Sequence, residues 1–203
     1  MNRGPGTPSH DIGVCLLAGG EATRLPGKLG LTVGDVPMLV RVYRNVSGAG
    51  PTWISTKGDL PADVAAAIDA PRVIDRWPKR GPLSGLLSTM SEMRTTWVFA
   101  VAGDAPFVDA AFAARLAEHI GPGVEAIVPM HADEPRRIEP LTALYRREAF
   151  LREGMPVLLS GEGALRLVID QLETRFMPVR DERAFTNVNT PSEYDALRET
   201  LVP

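Results

Sequence analysis

The chain has 203 residues, 44% of them hydrophobic and 23% charged, with a formal net charge of −3. That length suits one globular domain that buries enough apolar surface to fold without staples. Lys and Arg form no long runs, which argues against a nucleic-acid surface with its basic stripe, and no segment approaches the ~20 apolar residues of a membrane span.

Residues 1–11, polar and rich in Gly and Pro, read as a flexible N-terminal tail, and 12–203 as the folded domain. The first apolar run, 12–18, predicts a strand. It contains Cys15, the chain's one cysteine, which excludes an internal disulfide and fits a reducing, cytoplasmic compartment. Within such a run the thiol reads as a small buried side chain rather than a nucleophile. His10, His119 and His131 lack paired metal-ligand spacing.

The stretch CLLAGGEATRLPGKLG, 15–30, follows directly. Gly19 and Gly20 put no side chain between backbone and ligand, and successive N–H groups in such a turn form an anion-binding hollow. Arg24 and Lys28 add positive charge where phosphate oxygens would sit. The stretch is neither a P-loop, because Gly20 lies seven residues before Gly27 and Leu29 follows Lys28, nor a G-x-G-x-x-G dinucleotide loop. The alternative is a glycine-rich turn with two solvated cations.

Further strands are expected at 52–56, 72–75, 97–102, 125–130, 138–145 and 174–179. Helices are expected at 37–47, 61–69, 82–94, 109–120, 147–153 and 163–172, and from Pro191 onward, with Asp109 as an N-cap. Strands alternating with helices imply an α/β domain with a mostly parallel, doubly wound sheet. Such sheets bind ligands beyond the carboxyl ends of their strands. Four places there carry chemistry: 18–28, Asp75, 103–106 and 185–190.

Asp104 ends the most apolar strand, between the small Gly103 and Ala105, and Pro106 stops the strand from continuing. A lone carboxylate there suits Mg2+, which fills its remaining positions with water and phosphate. With Asp109 available as the helix cap, the metal role is preferred for Asp104. Asp75 ends the 72–75 strand, and either reaches the ligand or a metal-bound water, or pairs with Arg76, Lys79 or Arg80. Gly81 and Pro82 shape the turn into the 82–94 helix, and Gly85 admits either a ligand or a neighbouring backbone. Asn187 and Asn189 alternate in an extended stretch, so both amides face one side, where they either meet a ligand or cap the last helix.

Taken together, LAGGEATR (17–24), Lys28, GPLSGL (81–86), GDAPF (103–107), EPLTALY (139–145) and FTNVNTPSEY (185–194) resemble the molybdenum cofactor guanylyltransferases, within the wider nucleotidyltransferase group. The resemblance implies a single Rossmann-like GT-A domain that uses Mg2+ to transfer GMP from GTP to molybdopterin carrying molybdenum, releasing pyrophosphate. By the same resemblance Leu17, Ala18, Gly19, Gly20, Gly81 and Pro82 surround the nucleotide, Lys28 holds its phosphates and Asp75 lies near the nucleoside. Asp104 holds the metal, and Asn187 and Asn189 line the acceptor side. Catalysis falls to Lys28, Arg24 and Asp104, since a phosphate nucleophile is already anionic and needs no activated Ser, Cys or His. Transient contact with cofactor-delivery proteins is also implied.

Two departures stand out. The loop from Arg24 to Lys28 is one residue short, with Pro26-Gly27 in place of the usual Gly-Asp, and Ala105 replaces the common methionine. The alternatives are transfer to another phosphorylated acceptor (cytidylyl transfer to molybdopterin, a sugar phosphate or phospholactate) or a GTP-binding regulator on the same fold.

Overall fold

The apolar run at 12–18 forms β1 (Ile12–Leu17), an interior strand of a seven-stranded sheet in the computed structural model, which describes residues 10–19, 27, 30–77 and 81–201. A two-stranded hairpin follows, β2 (Thr32–Val33) and β3 (Val36–Pro37), and leads into α1 (Met38–Val46). Then come β4 (Thr52–Thr56), α2 (Ala62–Ala67), β5 (Arg72–Ile74), α3 (Gly81–Glu92), β6 (Trp97–Ala102) and α4 (Ala110–Ala117). The remainder is β7 (Ala126–His131), β8 (Thr142–Arg146), α5 (Arg147–Leu159), α6 (Leu165–Ile169), β9 (Thr174–Val179) and α7 (Pro191–Leu201).

The strand order is β5-β4-β1-β6-β8-β7-β9. All pairs are parallel except those of β8, which runs against both β6 and β7. The sheet is therefore mostly parallel, as expected, with one reversed strand inside it. The reversal has a simple cause: residues 132–141, between β7 and β8, contain no helix. A parallel return needs a crossover of a dozen or more residues, whereas a short connection brings the chain straight back. The strand expected at 138–145 is accordingly shorter at its start, and Ile138 makes only an isolated bridge to Met130.

Alternation along β1 explains the layers. Val14 and Leu16 pack into one core with Leu39, Val42, Val64 and Phe112, from α1, α2 and α4. Cys15 and Leu17 face the opposite core with Leu83, Leu87, Phe150 and Val168, from α3, α5 and α6. A strand covered on both faces must be apolar at every position, which is why the run reads as continuous rather than alternating. A third, small cluster (Val33, Met38, Val188 and Leu197) pins the β2–β3 hairpin and α7 together. Asp109 caps α4 by accepting from the Phe112 N–H at 2.8 Å, as the sequence predicts. Among the described residues no helix is long and apolar enough to cross a membrane.

Two predictions follow from this packing. Gly50 lies so close to β1 that a Cβ there would sit 2.0 Å from the Ile12 carbonyl oxygen, and backbone cannot yield as a side-chain end can. Gly50→Ala is expected to destabilise the fold by about 3 kcal/mol in chemical denaturation; an unchanged midpoint would contradict the close approach. Burial pushes the Cys15 thiol up to about 12, the Thr89 hydroxyl beside it offsetting part of that effect. The native protein should therefore resist a thiol reagent at pH 8 and react with one equivalent once unfolded.

Candidate active site

Parallel pairing sets the ends of β4, β1 and β6 side by side. Leu17 stands in register with Ser55 of β4 and with Ala102 of β6. The ladders continue one residue past the strands: Ala18 N–H donates to Ser55 O at 2.8 Å and Gly103 N–H to Leu17 O at 2.9 Å. On the outer side, Asp75 N–H donates to Thr56 O at 2.7 Å. Asp75, Gly19 and Asp104 therefore leave the same edge of adjoining strands β5, β4, β1 and β6.

Asp75 is buried, and its Oδ1 accepts from the Trp77 backbone N–H at 2.9 Å and from the Ser84 hydroxyl. That bond joins the β5 tip to the first turn of α3, so the structure brings Asp75 together with the GPLSGL stretch. Arg76, one of the three cations considered for Asp75, instead pairs with Glu92, while Lys79 and Arg80 lie outside the described residues. Gly81 takes a φ of 63°, a conformation that favours glycine, and with Pro82 it opens α3. Gly85 resolves towards packing: a Cβ there would lie 2.7 Å from Ser55 Oγ and 3.1 Å from a Leu17 methyl, so its absence lets α3 lie flat on the sheet.

Asp104 is half-buried in a tight turn, where Ala105 N–H donates back to Ala102 O. Ala105 itself is fully buried in the core beneath, and Asn45 of α1 braces the loop by donating to Pro106 O at 2.9 Å. The C-terminal stretch is attached at this point, with Val188 N–H donating to Asp104 O at 3.0 Å. The Val188 side chain is buried in the third cluster, so its neighbours Asn187 and Asn189 face the other way, both half-buried. Helix α7 has its own reciprocal cap. Glu193 Oε2 accepts from the Asn189 and Thr190 N–H groups at 2.7 and 2.9 Å, and Glu193 N–H donates to Thr190 Oγ1 at 3.3 Å. Capping therefore does not require the Asn187 or Asn189 amide.

Gly20, Arg24 and Lys28 lie outside the described residues. Among described residues, sequence reasoning passed over Lys57. It follows the tip of β4, and its stem lies against Gly19, with Cγ 3.1 Å from where a Cβ on that glycine would be. The rule that exposed Asp75 and Asp104, a polar residue just past a strand, finds Lys57 when applied to TWIST as well. Also passed over was His131, at the tip of β7. Its ring is buried, with Nε2 2.7 Å from Glu139 Oε1 and its centroid 4.9 Å from that of Phe185.

No group of three or more His, Cys, Asp or Glu residues able to hold a metal occurs among the described residues. The donor set at this edge is thus a half-buried carboxylate, Asp104, between small neighbours. That fits Mg2+ bound mainly through substrate phosphates and water, and does not fit a metal caged by protein.

Three comparisons bear on this edge. A family model described as the MobA-like NTP transferase domain matches residues 14–175. The molybdenum cofactor guanylyltransferase of Burkholderia ambifaria is 34% identical over 200 residues, covering 94% of this chain and 97% of that one. Among solved structures, the molybdopterin-guanine dinucleotide biosynthesis protein A of Archaeoglobus fulgidus superposes with a TM-score of 0.78 at 22% identity, over 93% and 97% of the two chains. A 2-C-methyl-D-erythritol 4-phosphate cytidylyltransferase from Thermus thermophilus shares the fold, with a TM-score of 0.66 at 13% identity over 92% and 96%. The matched stretch begins inside β1 and runs into β9, taking in the strand tips that carry Gly19, Asp75 and Asp104. The chain belongs to the MobA-like NTP transferase family and is a nucleotidyltransferase of molybdenum cofactor biosynthesis.

Proposed function

We propose that the protein transfers GMP from GTP to the terminal phosphate of molybdopterin carrying molybdenum, forming the guanine dinucleotide and releasing pyrophosphate. The observation that carries this reading is the arrangement of Asp75, Gly19 and Asp104 past the tips of β5, β1 and β6, with Asn187 and Asn189 flanking Val188, whose N–H donates to Asp104 O. It offers a nucleotide side and an acceptor side that meet at one carboxylate. The name shared by the curated relatives favours guanine and molybdopterin as the two substrates.

In this mechanism a phosphate oxygen of the acceptor attacks the α-phosphorus of GTP. One P–O bond forms as the bond to pyrophosphate breaks. No protein nucleophile is needed, in keeping with Cys15 being buried and Ser84 being bonded to Asp75. Gly19, with no side chain, lets phosphates approach the backbone, and Lys28 and Arg24 offset the charge growing on the leaving group. Asp75, through Ser84, holds the start of α3 beside the nucleoside. Asp104 would hold Mg2+, which when bound supplies positive charge to the phosphate oxygens. Asn187 and Asn189 orient the acceptor. The same reading puts the reaction in the cytoplasm, with a cofactor-delivery protein as a transient partner.

The decisive experiment incubates the protein with Mg2+, metal-loaded molybdopterin and either GTP or CTP, and identifies the dinucleotide by mass. Product from GTP is expected. Product from CTP alone would overturn the choice of base, and no product from either would overturn the reaction. Asp104→Ala should lower turnover about 10³-fold while leaving much of the GTP affinity. Lys28→Ala should weaken both GTP binding and turnover, by about 10-fold or more. Rates near wild type in either variant would remove that residue from the mechanism.

A further inference from the structure

Beyond Asp104, on the side away from β1, the carboxyl edge continues to the tips of β7 and β9. Both strands run in the direction of β6, because β8 reverses the direction between β6 and β7, and β9 pairs parallel with β7. At these tips lies a pocket of about 450 Å³ lined by His131, Arg137, Arg180, Asp181, Arg183, Phe185 and Thr186. Three arginines thus converge in one hollow of a chain whose net charge is −3.

We infer that this pocket is an anion-binding subsite, formed by Arg137, Arg180 and Arg183, for a second anionic group of the acceptor, remote from the phosphate that reacts at Asp104. The inference rests on the reaction proposed above.

The cations are available for such a role. Among the described residues none of the three arginines is ion-paired, whereas Arg76, Arg152 and Arg166 all have carboxylate partners. Asp181 also lines the pocket, but its Oδ1 accepts from the Arg183 backbone N–H at 3.2 Å. The Arg183 guanidinium lies over the Phe107 ring, 5.1 Å from its centroid, which restricts the side chain while leaving its N–H groups free to donate at the rim. The floor is firm, with buried His131 bonded to Glu139 and packed on Phe185, and Phe185 in turn set edge-on to Phe112.

The position matches a two-ended acceptor. Thr186 lines the pocket, and two residues later Val188 is bonded to Asp104. At about 3.3 Å per extended residue, these points are roughly 7 Å apart along the chain. Asn187 lies between them in the chain. An acceptor whose phosphate reacts beside Asp104 therefore extends over Asn187 towards the arginines. Guanidinium forks grip paired oxygens, so the group they take is oxyanion-bearing. In the proposed acceptor this is the end that carries the metal and its oxygen ligands.

Steady-state kinetics on the full chain test this with Arg180→Gln/Arg183→Gln and, as the charge-conserving counterpart, Arg180→Lys/Arg183→Lys. The Gln pair should raise KM for metal-loaded molybdopterin at least about tenfold, leave KM for GTP within about twofold, and change KM for metal-free molybdopterin much less. The Lys pair should recover part of the loss. Equal effects on the two acceptors would overturn the assignment to the metal-bearing end. An unchanged acceptor KM, or a GTP KM that rises in step with it, would overturn the subsite while leaving the proposed reaction standing. A wild-type protein that forms no dinucleotide would remove the reaction and this inference together.

Discussion

Backbone pairing across β4, β1 and β6 is the constraint on which the site depends. Leu17 is level with both Ser55 and Ala102, so the residues just past each strand leave the sheet at one height. Nothing about Gly19 or Asp104 as residue types would bring them together. The ladder does so, and two further hydrogen bonds, from Ala18 and Gly103, extend it beyond the strands. Because β1 is buried on both faces, a register slip would move apolar side chains between two differently shaped cores, and the alignment is correspondingly well specified.

Two local devices then attach the rest of the site to that row. Asp75 and Ser84 fasten the start of α3 to the β5 tip, while Gly85 lets the same helix lie against Leu17 and Ser55. On the other side, Val188 both buries its side chain and gives its N–H to Asp104 O. The β5–β4–β1 side of the row is thus held by a helix pressed onto the sheet, and the Asp104 side by one extended stretch bonded to its backbone.

Much of this was legible in the sequence, and particular residues show why. Continuous apolar runs bounded by Gly, Pro and Asp report strands buried on both faces, so β1, β4 and β6 fall where expected, and the half-exposed edge strand β9 falls there too. The Asp109 cap and the Pro191 helix start are local signals that need no tertiary help. Direction within the sheet is a different matter, since periodicity says which faces are covered and nothing about polarity. The clue to reversed β8 was the helix-free connection at 132–141. Lys57 carries the same local sign as Asp75 and Asp104, a charged residue just past a strand, whereas Gly85 is ambiguous in sequence because a missing Cβ serves packing and ligand approach alike. Arg180 and Arg183 resemble ordinary solvated charges until β7 and β9 are seen to end beside each other. The roles of Gly20, Arg24 and Lys28 rest on sequence alone, as these residues lie outside the described ones.

The reversed strand has an effect on scale. Because β8 begins where its neighbours end, the tips of β6 and β7 stand two ladder widths apart, about 9.6 Å, with no third tip between them. The interval works as a ruler cut into the rim of the sheet. A compact phosphate ester can touch one end of it, whereas a molecule must be about a nanometre long to span Asp104 and His131 at once. Length, before any particular hydrogen bond, is therefore a property that this fold can measure.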